Sequence, residues 1–174
     1  MLRRLFNLFI FSSVYIALGA VLMVYQTVDL LHITGLASSY YYFVFFSTLC
    51  SYNFHWYLTP PSSEQQMRVE WTQQHRSLHL ILFLVGTCGS TYFCLQLFDH
   101  IAWLAIGVIL TFLYSAPKIS FPPFTYLRKI AIGKTLFLSA VWMYVTSLLP
   151  LIISGTAVLK AEWLFCLSRF FLIY

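Results

Sequence analysis

The chain has 174 residues, of which 60% are hydrophobic and only 9% are charged, with a formal net charge of +5. Soluble domains carry roughly a quarter charged residues, so this composition excludes a water-soluble globular protein. The positive balance does not imply a nucleic-acid partner, because Lys and Arg collect in the cytoplasmic loops of membrane proteins for topological reasons.

Five nearly uncharged stretches, at 5–27, 36–58, 78–98, 101–117 and 134–154, are each long enough to cross a hydrocarbon core of about 30 Å as a helix. They are continuously apolar, whereas the strands of a membrane barrel alternate between apolar and polar. The expectation is an all-α, polytopic transmembrane bundle forming one domain over 1–174, with about five complete spans and a partial sixth.

The first stretch follows Met1-Leu-Arg-Arg and exceeds the roughly 7 to 15 apolar residues of a signal core, which favours an uncleaved helix. The small residues Ala17, Gly19 and Ala20 keep a cleaved signal as the alternative. The second stretch ends in the polar patch Tyr52-Asn53-Phe54-His55, whose amide and imidazole groups need partners in an apolar setting. A loop at about 59–77 follows, opening with Thr59-Pro-Pro-Ser-Ser-Glu-Gln-Gln. Ser62 with Gln65, or Ser63 with Gln66, fits a capping box, so a short surface helix is predicted ahead of the third span. Trp71, Arg68 and Arg76 suit the membrane interface there.

Asp99-His100 makes a short link to the fourth stretch, and a second long loop at about 118–133 leads to the fifth. The remaining segment, 161–174, covers only about 20 Å as a helix, short of a full crossing. Such a helix leaves carbonyls and Arg169 near mid-depth, at a cost of several kcal/mol unless something meets them. It reads as an unfinished crossing, or as a surface that a partner subunit covers.

With the N-terminus in the cytoplasm, Arg3, Arg4, Arg68, Arg76, Lys118, Arg128, Lys129 and Lys134 all fall inside, and only Lys160 falls outside. This predicts a protein integral to the inner or plasma membrane, with the two long loops and the working face cytoplasmic.

Few constellations point to chemistry. Cys50, Cys88, Cys94 and Cys166 form no CxxC pair and read as small core residues. His75 and His79 share a helical face, yet the other three histidines are scattered, so they read as interfacial polar residues rather than metal ligands. His32 and His100 lie in loops, which argues against haem. The acidic residues Asp29, Glu64, Glu70, Asp99 and Glu162 form no paired-carboxylate motif, so no metal site and no catalytic residue is assigned. Tyr114-Ser-Ala-Pro-Lys118, with Pro122-Pro123, Arg128-Lys129 and Lys134, carries converging donors suited to a diphosphate. The alternative is that these are ordinary topology-setting charges.

Tyr114-Ser-Ala-Pro-Lys118, the proline-rich basic loop, Lys134 and then Ala140-Val-Trp142 and Leu149-Pro150 resemble the middle of the UbiA superfamily of intramembrane prenyltransferases. The resemblance implies a Tyr-x-x-x-Lys element after the fourth span and a first acidic motif, Asn-Asp-x-x-Asp-x-x-x-Asp, at the inner end of the second. Asn53 stands at that motif's Asn, while its aspartate positions read Phe54, Tyr57 and Pro61. The family's second acidic motif would lie beyond Tyr174.

The resemblance further implies a bundle of about nine spans and magnesium-assisted transfer of an isoprenyl group from its diphosphate to an aromatic or quinone-type acceptor. Without the aspartates this chain lacks the magnesium ligands, so the expectation is a catalytically incompetent member. Its residual binding residues for a diphosphate or lipid headgroup would be Asn53, Tyr114, Lys118, Arg128 and Lys134. The other reading is a non-enzymatic membrane subunit that binds an isoprenoid or a protein partner.

Overall fold

The computed structural model describes the backbone of residues 2–59, 67–115 and 131–174, and the side chains of 6–59, 68–111 and 135–174. Among the described residues every regular element is a helix and none is a strand. In chain order these are α1 (Leu2–Phe11), α2 (Val14–Leu30), α3 (Ser38–Tyr57), α4 (Met67–Gln74) and α5 (Arg76–Gln96). After a 3₁₀ turn at Phe98–His100 come α6 (Ile101–Ser115), α7 (Ala131–Met143), a π-helical turn at Tyr144–Leu148, α8 (Leu149–Ile153) and α9 (Lys160–Ile173).

Two helical stretches are long and apolar enough to cross a membrane, Arg76–Gln96 and Thr135–Ile153. Val14–Leu30 and Phe98–Thr111 are apolar but shorter. α3 has the length, at 20 residues, but its tyrosines, serines, Asn53 and His55 dilute its hydropathy. The short helix expected before the third span is α4; the proposed caps Ser62 and Ser63 lie outside the described residues.

The stretch at 5–27 is not one continuous helix. It breaks at Ser12-Ser13, where Ser13 adopts a left-handed conformation with φ 64°. The Ser13 carbonyl takes the N–H groups of Ile16 and Ala17, so the Ser12 carbonyl loses the donor a continuous helix would send it. A buried carbonyl without a partner costs about 1–3 kcal/mol, and here the Asn53 side chain supplies one.

α3 and α5 pack at unusually close range. A Cβ at Gly86 would lie 2.6 Å from the backbone nitrogen of Cys50, and one at Gly89 would lie 2.4 Å from the Phe46 ring. Absent side chains on α5 thus receive the backbone and aromatic side chains of α3, the small-residue packing by which helices associate in lipid. Around that seam Tyr42 and Phe46 stack on Phe93, at 4.9 and 5.8 Å between centroids, and the Cys50 thiol lies 3.3 Å from the Thr87 hydroxyl.

The π-turn follows from Pro150. A proline has no N–H, so the donor that would reach Thr146 in an α register, or Val145 in a π register, is missing. Both carbonyls are met by hydroxyls from other helices: Tyr40 of α3 donates to Val145 at 2.6 Å and Thr27 of α2 donates to Thr146 at 2.7 Å. The main buried cluster forms around these bonds from Ala20, Val24, Tyr40, Val44, Leu104, Tyr144 and Leu149. A second cluster of Ile33, Leu151 and Cys166 lies where α9 docks.

Candidate functional site

The break between α1 and α2, the last turn of α3, helix α4 and the first turn of α5 meet at one end of the bundle. Gln73 of α4 donates to the Thr59 carbonyl, just beyond the end of α3, at 2.8 Å. α4 thereby lies against both α1 and α5, with Phe11 and Trp71 in ring contact at 5.3 Å.

Asn53 is fully buried at the centre of this junction. Its Nδ2 donates to the carbonyls of Ser12 at 3.1 Å and Leu49 at 2.8 Å, which uses both amide hydrogens. Its Oδ1 can only accept, so the contact at 2.7 Å with His79 Nδ1 requires that nitrogen to carry a proton and donate. Asn53 therefore fixes the orientation of His79, and in the neutral tautomer leaves Nε2 as an acceptor. That Nε2 is buried without a hydrogen-bond partner.

At this junction the hydroxyls of Ser13 and Thr72, and Nε and Nη2 of Arg68, are also buried without a hydrogen-bond partner. Ser13 adjoins the carbonyl that Asn53 caps. Thr72 is one helical turn after Arg68 on α4 and next to Trp71, whose ring meets His79 edge-on at 5.7 Å. The face of the Arg68 guanidinium rests on Trp56 at 4.2 Å, and Arg68 lies within electrostatic reach of His79. Its unused Nε–Nη2 edge has the fork geometry that grips two oxygens of one anion.

Native proteins leave few buried polar groups unmade, and several in one place mark a site for something the protein holds. This set offers three guanidinium hydrogens, two hydroxyls and one imidazole acceptor. The Arg68 edge suits an oxyanion, and His79 Nε2 can accept a hydrogen bond from a protonated oxygen.

Of the binding residues expected from the sequence, only Asn53 falls here; Arg68, Trp71 and His79, which also meet here, were read as interfacial residues. Asn53 is engaged on all sides by the protein and acts through His79. The side chains of Tyr114, Lys118, Arg128 and Lys134 lie outside the described residues. The aspartate positions of the acidic motif are occupied by aromatic groups with other partners: Phe54 stacks on Phe83 at 5.2 Å, and Tyr57 lies beneath Arg76 at 4.6 Å, while Pro61 is outside the described residues.

His75 and His79 do not converge. His75 stacks on Trp71 at 4.2 Å and bonds its carbonyl, whereas His79 turns to Asn53. Among the described residues no group of three His, Cys, Asp or Glu side chains gathers in a metal-binding arrangement. All four cysteines are free thiols, Cys166 buried and Cys88 exposed.

Ser13 and Thr72 were not expected as site residues. The one available signal was the Ser12-Ser13 pair interrupting an otherwise apolar run; nothing local distinguishes Thr72 from its neighbours. No protein-family model, characterised protein or solved structure matches this chain.

Proposed function

We propose that the chain is a UbiA-like integral membrane protein with its N-terminus in the cytoplasm and about five crossings. In this reading it holds the diphosphate head of an isoprenyl lipid at the inner end of the bundle without ionising it. The observation that supports this most directly is the buried, unpaired Nε–Nη2 edge of Arg68, within electrostatic reach of His79, in a junction that also holds the unpaired hydroxyls of Ser13 and Thr72. It lies at the end of α3 where the resemblance places the first acidic motif. Lys118 and Arg128 of the second loop, with Tyr114 near the end of α6 and Lys134 near the start of α7, would add donors on the same face.

Prenyl transfer by this route needs carboxylates to hold magnesium against the leaving diphosphate, because charge neutralisation there lowers the barrier to ionisation. Phe54 and Tyr57 offer no carboxylate at those positions, and their ring faces are taken up by Phe83 and Arg76. The residues present therefore do not fit magnesium, and the reading is binding rather than turnover.

The test is equilibrium binding of geranylgeranyl diphosphate to the purified chain in nanodiscs, followed by incubation with magnesium and an aromatic acceptor. Expected are saturable binding, weakened about tenfold or more by Arg68→Gln through loss of a charge-assisted hydrogen bond, and no diphosphate release. Release of diphosphate would overturn the inactive reading. Unchanged binding in both Arg68→Gln and Thr72→Val would overturn the site.

A non-enzymatic, partner-binding subunit is the second reading, favoured by the apolar face that α9 leaves exposed at Trp163, Leu164, Leu167, Phe171 and Leu172. Arg169, expected to need a partner's cover, is already buried within this chain. Native mass spectrometry that finds only monomer would count against this second reading.

A further inference from the structure

Arg169 lies in the second half of α9 and is only 4% exposed. A guanidinium keeps its charge at any working pH, so this side chain carries a permanent positive charge into the bundle. Among the described residues it has no ion pair. Its one hydrogen bond runs from Nη2 to the Thr27 hydroxyl oxygen at 3.4 Å, long for N–H···O, and its Cζ lies over the Phe165 ring at 5.2 Å. Thr27 cannot neutralise it, because a hydroxyl carries no charge; it accepts from Arg169 while its own proton faces the Thr146 and Met23 carbonyls.

The π-turn on which α9 docks carries an unmet group of its own. Ser147, adjacent to Thr146, is fully buried and its hydroxyl has no hydrogen-bond partner. The cluster where α9 docks is apolar: Ile33, Leu151 and Cys166, with Met143, Leu148 and Val158 packed against them, and Cys166 lies within electrostatic reach of Arg169.

These features specify a ligand. One guanidinium and one hydroxyl match the charge and the two oxygens of a monoanion, and a dianion would remain undercompensated. Apolar walls require the rest of the ligand to be hydrocarbon. We infer that Arg169 and Ser147 form a buried site for the carboxylate head of a membrane-soluble organic acid. This site is separate from the one at Arg68, being built on α2, the π-turn and α9, and does not depend on the diphosphate reading.

The test compares decanoate with decanol, equal in chain length, on the whole chain in a neutral detergent, reading the thermal unfolding midpoint and the apparent affinity. Expected is a dose-dependent rise in midpoint with decanoate, with affinity about tenfold or more above that for decanol, as one charge-assisted hydrogen bond provides. Arg169→Met, which removes an unpaired buried charge, should unfold at or above the wild-type midpoint without ligand and lose the decanoate response. Ser147→Ala, which removes a single atom and tests the site even where Arg169→Met does not fold, should bind decanoate more weakly. An equal response to acid and alcohol, or a full decanoate response in Arg169→Met or Ser147→Ala, would overturn the inference.

Discussion

Replacing Asn53 with alanine removes one side chain but leaves buried polar groups stranded on different helices. The Ser12 carbonyl loses the donor at 3.1 Å that compensates the break between α1 and α2, and His79 Nδ1 loses its acceptor at 2.7 Å. The Leu49 contact matters less, because that carbonyl lies inside α3 and can accept from the helix itself. Each stranded buried group costs about 1–3 kcal/mol, so Asn53→Ala should destabilise the chain by about 2–5 kcal/mol. His79→Ala strands Asn53 Oδ1 and removes the ring contact with Trp71, for a loss of about 2–4 kcal/mol. The double variant breaks the shared bond only once. Its destabilisation should therefore fall short of the sum of the single values by about 1–2 kcal/mol. Reversible unfolding in mixed micelles, followed by tryptophan fluorescence and helical circular dichroism, supplies the three values. Additivity within about 0.5 kcal/mol, or an Asn53→Ala protein as stable as the parent, would refute the claim that Asn53 ties the helix break to His79.

The remaining predictions concern packing and the π-turn. Gly86→Ala places a methyl carbon 2.6 Å from the Cys50 nitrogen, so α3 and α5 must separate; the expected loss is about 1–3 kcal/mol in the same unfolding assay. Gly19→Ala is the contrast, since nothing lies within 4 Å of its added carbon, and it should stabilise α2 by about 0.5–1 kcal/mol. Tyr40→Phe and Thr27→Val each remove a hydroxyl that meets a π-turn carbonyl and should cost about 1–2 kcal/mol. Combined with Pro150→Ala, which restores an N–H to the turn, either substitution should cost measurably less; equal costs in both backgrounds would argue against Pro150 as the cause of the turn.

The helical class was legible from the sequence because apolar runs near twenty residues have few other solutions for their backbone hydrogen bonds. The approximate ends of α3, α5 and α9, and the short helix before α5, followed from the same runs and their punctuation. Pro150 likewise announces a missing donor wherever the chain places it. The broken first segment was less legible, since two serines within an apolar run are common in continuous helices. What turned Ser13 into a break was a partner for the stranded Ser12 carbonyl, and that partner lies on α3.

The site shows the same division. Asn53 was visible as a polar residue needing partners, but its fixed pairing with His79 across 26 positions depends on how α3 and α5 pack. That packing depends in turn on Gly86 and Gly89, which leave no signature beyond their lack of a side chain. Hydropathy, charge order and proline positions act locally and can be read along the chain. Which hydroxyl meets which carbonyl, and which donors remain unmet at Arg68, Thr72 and Ser147, is decided only when helices distant in sequence are brought within hydrogen-bonding range.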